Sequence, residues 1–209
     1  MSNQCLYHVE LFNAKGQAEE VEAYLRDVAL PFFRERGFQV GFGITQYGLG
    51  PRQFWLVTQM DNFGSIDQWE GRTGRDPRGR EIMSRLAGMI CDARASIVKD
   101  LEPHVGWQGE SGRMFHVEWF NSRGEPGELE EFFLRVALPY WRRRGFSVKL
   151  FLTQHELGPR EFWFVTQMEG FASLDRWPEM AAGEREGQAI MTRLLSLITV
   201  PRASIVKEV

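Results

Sequence analysis

Between Leu6 and Phe12 the chain alternates, with Tyr7, Val9 and Leu11 on one face and His8, Glu10 and Phe12 on the other, which is the period of a strand. Turn-forming residues 13–16 follow. Val21, Tyr24, Leu25, Val28, Leu30 and Phe33 then recur at helical spacing and predict an amphipathic helix over residues 19–36. Pro31 lies late in that helix and has no backbone donor, so a kink or a break into a final turn is expected before Gly37. Residues 38–46 and 54–60 read as two strands joined by a loop through Gly50 and Pro51, a hairpin longer than the two-residue type. Ser65 and Ser173 read as helix caps ahead of Ile66 and Leu174. A second helical region, interrupted at 71–79, resumes over 82–90, and residues 95–99 form a last strand. The order strand, helix, strand, strand, helix, strand is that of the split βαβ, or ferredoxin-like, unit.

The whole pattern is then written again. Residues 6–101 align with 114–209 at a constant offset of 108 and without a gap, and about 45 of the 96 pairs are identical. His8-Val9-Glu10 answers His116-Val117-Glu118, and Val28-Ala29-Leu30-Pro31 answers Val136-Ala137-Leu138-Pro139. Leu49-Gly50-Pro51-Arg52 answers Leu157-Gly158-Pro159-Arg160, and Val57-Thr58-Gln59-Met60 answers Val165-Thr166-Gln167-Met168. A period near a hundred residues is the size of a small domain, not of a solenoid repeat. The reading is one α+β domain duplicated and fused: a first ferredoxin-like repeat over 1–101, a linker over 102–113 and a second repeat over 114–209.

A four-stranded sheet with two helices on one face leaves its other face bare. With Trp55 and Trp163 on the third strand of each copy, leaving such faces in water would cost several kcal/mol at roughly 25 cal/mol per Å². Stacking the two open faces solves this and makes an intramolecular, pseudo-dimeric α+β barrel. The split βαβ order, the duplicated halves and the Leu30-Pro31 late in the first helix before Gly37-Phe38 together resemble the dimeric α+β barrel superfamily, nearest to its NIPSNAP-like and antibiotic-biosynthesis-monooxygenase-like members. That resemblance spans nearly the whole chain. It implies the fold, and by analogy a range of tasks: cofactor-free monooxygenation, haem binding or degradation, isomerisation and polyketide cyclisation.

Composition changes the picture mainly by exclusion. A net charge of -3 gives no cationic footprint for nucleic acid, and the third strand lacks the basic-Gly-aromatic pattern of RNA-binding sheets. No apolar run is long enough for a membrane helix and residues 1–12 do not read as a secretory signal, so a cytoplasmic location is expected, with self-association left open. Cys5 and Cys91 correspond to Arg113 and Thr199 in the other copy, so no disulfide framework is expected. No nucleophile elbow, CxxC pair, dinucleotide fingerprint or phosphate loop occurs.

The candidate chemistry lies on the first strand of each copy. His8 and Glu10, like His116 and Glu118, are two residues apart and share a face, so their side chains can converge. In a ferredoxin-like sheet the first and third strands are central, so the face holding His8, Glu10 and Phe12 is expected to look into the barrel, facing His116 and Glu118, while Tyr7, Val9 and Leu11 pack under the helices. Each pair can then serve as a general acid/base, bind zinc, iron or haem, or simply satisfy itself by hydrogen bonding. Trp55, Gln59, Trp163 and Gln167 are candidate walls of a pocket for a small apolar or aromatic ligand. Gly41 and Gly43 become Lys149 and Phe151 in the second copy, which predicts unequal pockets with the free space beside the glycines. Tyr47-Gly48 likewise becomes His155-Glu156. Asn13 and Asn121 read as turn residues, Arg52 and Arg160 as loop arginines, the basic run at Arg34, Arg36 and Arg142–Arg144 as helix-terminal charge, and 71–80 as a mobile surface loop. The expected function is small-molecule binding, with His/Glu acid-base turnover of an aromatic or polyketide-like compound as the catalytic form. A metal or haem protein, or a non-catalytic interaction module, is the alternative.

Overall fold

The computed structural model describes residues 5–47, 52–103, 114–155 and 161–209. Strands β1 (Leu6–Ala14), β2 (Gln39–Tyr47), β3 (Gln53–Met60) and β4 (Ile90–Asp100) belong to the first half of the chain. Strands β5 (Met114–Ser122), β6 (Ser147–His155), β7 (Glu161–Met168) and β8 (Ile198–Glu208) belong to the second. They close into one antiparallel barrel in the order β1-β3-β2-β8-β5-β7-β6-β4. Each half therefore contributes four adjacent strands with its first and third in the middle. The halves meet at two seams, where β2 pairs with β8 and β4 with β6. Closure removes every open sheet edge.

Helices cover the outside of the barrel. In the first half α1 (Ala18–Tyr24) passes through a π-helical turn, Leu25–Ala29, into α2 (Leu30–Glu35), and α3 (Gly64–Trp69) and α4 (Pro77–Met89) follow β3. In the second half α5 (Pro126–Phe132) continues through the π turn Phe133–Ala137 into α6 (Leu138–Arg143), and α7 (Arg176–Gly183) and α8 (Arg185–Leu197) follow β7. The break expected at Pro31 is thus a widened turn. Leu30 N–H reaches back to the Leu25 carbonyl, and Leu138 to Phe133, so the helix absorbs the missing proline donor without ending.

Several loop and cap expectations are corrected. Ser65 lies inside α3, and the side chain that does cap a helix is Asp76, which accepts from Arg78 N at 2.8 Å at the start of α4. Ser173 falls in a short 3-10 turn, Phe171–Leu174. Residues 71–80 are largely helical, as a π turn at Glu70–Gly74 and the first turn of α4. Asn13 and Asn121 belong to β1 and β5, beside the register shifts where β4 and β8 bulge, and Asn13 Nδ2 donates to Asp92 Oδ2 at 3.2 Å. Asp92 there takes a positive φ of 51°. The loop residues 48–51 and 156–160, with Arg160 and Glu156, lie outside the described residues, as do 104–113 of the expected linker.

Two kinds of core result. Under the helices, Phe12, Phe32, Phe33, Phe54 and Leu25 pack in the first half, and Phe120, Phe133, Tyr140, Trp141 and Phe162 in the second. Inside the barrel, Val9, Leu11, Trp55, Val98, Val117, Trp119, Phe151, Trp163, Val165 and Val206 meet from both halves. This reverses the facing expected for β1 and β5. Tyr7, Val9 and Leu11 point into the barrel, while His8, Glu10 and Phe12 share the helix side. Both faces of the sheet are covered, so alternation alone does not choose between them. Val9, Leu11, Val117 and Trp119 turn inward because there they complete one apolar cluster with Trp55, Trp163 and Phe151 from both halves, while Phe12 and Phe120 join the cores under the helices. Among the described residues no helix is long and apolar enough to cross a membrane.

Candidate functional site

Three rows of inward side chains run around the first half. Gln39, Gln59 and Tyr7 form the outermost row, Gly41, Val57 and Val9 the next, and Gly43, Trp55 and Leu11 the third. The matching rows of the second half are Ser147, Gln167 and Phe115, then Lys149, Val165 and Val117, then Phe151, Trp163 and Trp119. The second half is bulkier in each of these rows that differs strongly. Lys149 stands where the first half has Gly41, and its Nζ meets Asp100 Oδ2 at 2.6 Å with both side chains almost fully buried. Phe151 stands where the first half has Gly43, and its ring meets Tyr7 edge-on at 5.7 Å.

The first half is left open. A cavity of about 470 Å³ enters the barrel beside Gly41 and Gly43. Its rim carries the exposed Arg34, Gln39 and Gln59 together with Glu208, and its floor is made by buried Val9, Trp55, Val98, Phe151, Trp163 and Val206. The two glycines serve different ends. A Cβ on Gly41 would meet nothing nearer than Glu208 Oε1 at 3.9 Å, so its missing side chain is cavity space. A Cβ on Gly43 would lie 2.6 Å from Val206 Cγ1 and 3.1 Å from the Lys207 carbonyl, so this glycine lets β2 approach β8 at the seam.

Trp55 and Trp163 form the deep wall, and Trp119 packs against both. The Trp55 and Trp119 centroids are 6.0 Å apart, as are those of Trp55 and Trp163, and Trp119 and Trp163 are 6.2 Å apart. Trp55 Nε1 donates to Thr45 Oγ1 at 3.0 Å. In the other half the matching threonine, Thr153, donates instead to the Glu161 carbonyl at 3.1 Å, and the buried Trp163 Nε1 has no acceptor. Tyr7 adds a phenol to the lining. Burial, with a hydrogen bond to Cys5 behind it, pushes that phenol well above its ordinary range, so it stays a protonated donor at neutral pH. The lining thus offers apolar and aromatic faces within, and polar and oppositely charged side chains at the rim.

Of the residues singled out in the sequence, Gly41, Gly43, Trp55, Gln59 and Trp163 line this cavity. Gln167 faces the interior but lies outside the lining, and its Oε1 accepts from Ser147 Oγ at 3.3 Å. His8, Glu10, His116 and Glu118 do not reach the cavity, because they project from the opposite face of the same strands. They do converge in pairs: His8 Nδ1 is 3.5 Å from Glu10 Oε1, and His116 Nδ1 is 3.5 Å from Glu118 Oε1. Burial pushes the Glu118 carboxyl up to about 7, although a third of the side chain still meets solvent, since the surrounding apolar strand and helix atoms desolvate the acid end. Burial also raises Glu10 and lowers His116. Arg52 pairs with Glu19 and Glu22, both at 3.7 Å, and so closes a surface contact to α1.

Among the described residues no group of three or more His, Cys, Asp or Glu side chains comes together to hold a metal ion, and a His–Glu pair supplies two donors where zinc sites use three or four. A haem would need an axial donor, and the described lining contains no His, Cys or Met and one phenol held protonated. These residues do not fit a haem.

No family model and no curated protein matches the sequence. Solved structures do match its shape. An anthrone oxidase-like protein superposes with a TM-score of 0.67 at 9% identity, covering 100% of this chain and 92% of that one. A "putative monooxygenase" from Lactobacillus acidophilus NCFM does so with a TM-score of 0.63 at 7% identity, covering 98% and 94%. A heme-binding protein from Thermus thermophilus reaches 0.50 at 12% identity, covering 97% and 91%. The fold is that of the dimeric α+β barrels. At these identities the likeness of the α+β barrels is one of architecture, and this chain's task has to be argued from its own cavity.

Proposed function

We propose that this chain is a fused pair of ferredoxin-like repeats whose barrel binds one small apolar or aromatic molecule in the cavity beside Gly41. The carrying observation is the asymmetry between the halves. The second half fills the matching space with Lys149, paired across the seam to Asp100 of β4, and with Phe151, whereas the first keeps about 470 Å³ of apolar-floored space reaching Trp55 and Trp163. A cavity of that size accommodates a two- or three-ring molecule. The side-chain amides of Gln39 and Gln59 on the rim are donors that suit a carbonyl or phenolate oxygen on such a ligand. Cofactor-independent oxygenation, isomerisation or cyclisation of a conjugated aromatic or polyketide-like compound is the catalytic form of this reading, because stabilising an enolate or phenolate oxygen is common to all three. The names of the similar folds are compatible with it.

Replacing Gly41 with Lys tests the reading. In the first half it would copy the plug that Lys149 makes in the second, and an extended strand with open space beside it accepts the side chain. Wild-type protein is expected to bind naphthalene- and anthracene-sized probes with quenching of tryptophan fluorescence, and Gly41→Lys to lose that binding while melting cooperatively. Equal binding by both proteins would overturn it.

A second reading keeps His8, Glu10, His116 and Glu118 as acid/base pairs, supported by their 3.5 Å contacts and the raised Glu118. Their place on the helix side means they would act on a molecule held there, not on one in the barrel. A His8→Gln/His116→Gln variant that keeps both ligand binding and turnover would exclude that role.

A further inference from the structure

Arg34, on the cavity rim, has a counterpart that shows what it can grip. It stands near the end of α2, its Nε donates to the Val40 carbonyl at 3.1 Å, and among the described residues it takes part in no ion pair. Its terminal nitrogens have no acceptor among those residues. Arg142, 108 positions on, stands at the matching end of α6 and is tied to the matching carbonyl, with Nη2 2.9 Å from Val148 O. Its terminal nitrogens also hold both oxygens of Glu102, at 2.8 and 2.5 Å. A complete guanidinium–carboxylate fork, with Glu102 supplied from just beyond β4, therefore sits beside the strand that carries Lys149, whereas the Arg34 guanidinium sits at the mouth of an open cavity.

We propose that the cavity's ligand carries a carboxylate, held by the terminal nitrogens of Arg34 as Arg142 holds Glu102, with its apolar body running inward past Gly41 toward Trp55 and Trp163. The planar fork of a guanidinium matches both oxygens of a carboxylate, which is why the partner is an acid and not merely any polar group. The floor below the rim supplies apolar and aromatic contact and no further cation, so the charge of the ligand belongs at the mouth and its rings belong inside. Glu208 is the other charged group on the rim. It lies beside Gly41, where its carboxylate can accept a hydrogen bond from a hydroxyl on the same ligand.

This inference rests on the cavity being a binding site, and the experiment separates the two. Calorimetry at pH 7.5 with 2-naphthoate and its neutral isostere 2-naphthamide compares wild type, Arg34→Gln and Gly41→Lys. Wild type is expected to prefer the acid roughly tenfold, the usual worth of a hydrogen-bonded charge pair. Arg34→Gln is expected to lose that preference, binding acid and amide with equal affinity, and Gly41→Lys to bind neither. Equal affinity of wild type for acid and amide, or a preference that survives in Arg34→Gln, overturns the carboxylate and leaves the cavity standing. Failure of wild type to bind either probe overturns both. Because the wild-type comparison alone can decide against the proposal, a misfolded variant does not shelter it.

Discussion

Glu118 is the residue whose chemistry burial alters most visibly. Its carboxyl is raised from an ordinary 4.5 to about 7, so between those values the native state binds a proton that the unfolded chain releases. Stability is therefore lost as pH climbs through that window and stays reduced above it. Glu118→Gln is expected to raise the melting temperature relative to wild type at pH 8 and to change it little at pH 4. Equal melting shifts at both pH values would show that the desolvation of Glu118 does not matter. His116 works in the other direction, since burial lowers it and favours the neutral ring, so acidification toward pH 5 costs stability there. The pairing of these two residues was legible in the sequence from their spacing alone. Their facing was not, because strand alternation says which residues share a side and leaves open which side turns into the barrel when both are covered.

At the scale of elements, the two seams do the work of joining the halves, and Gly43 controls one of them. Gly43→Ala is expected to destabilise the fold by about 1–3 kcal/mol in chemical denaturation, because its methyl would collide with Val206 and the Lys207 carbonyl. Gly41→Ala, two residues away, is expected to be neutral or slightly stabilising, and the reverse ranking would show that the β2–β8 approach is not tight. The other seam buries Lys149 against Asp100. Lys149→Met leaves that carboxylate buried without its cation and is expected to cost about 3–5 kcal/mol, much of it recovered in a Lys149→Met/Asp100→Leu double variant. A single variant as stable as wild type would contradict the pair's burial. The glycine-for-lysine and glycine-for-phenylalanine exchanges were visible in the sequence, and the cavity lies beside them. The partners were less visible: Asp100 and Glu208 meet β6 and β2 only once the barrel is closed, and nothing in a linear pattern gives that pairing. The π turns were hidden for a similar reason, since Pro31 announces a lost hydrogen bond but not how the helix reroutes the others.

For the whole molecule, the order of strands and helices followed from hydrophobic period and turn chemistry, and closure followed from the need to cover two aromatic sheet faces. What composition and period could not supply is where the closed barrel leaves room. That depends on the sum of side-chain volumes from eight strands, and only a few positions decide it: Gly41 against Lys149, Gly43 against Phe151, Leu11 against Trp119. Arg34 shows the same limit. In the sequence it is one member of a basic helix end, yet its neighbour Arg36 pairs with Asp76 and lies over the Phe32 ring, while Arg34 alone of that pair lines the cavity. The proposed occupant of the barrel is a small molecule on the Gly41 side. A crystal structure of the protein soaked with its tightest-binding aromatic acid tests this most directly. Ring density is expected between Gly41 and the Trp55–Trp163 wall, with the acid at Arg34. Density at the helix-side His–Glu pairs, with the barrel cavity empty, would contradict it.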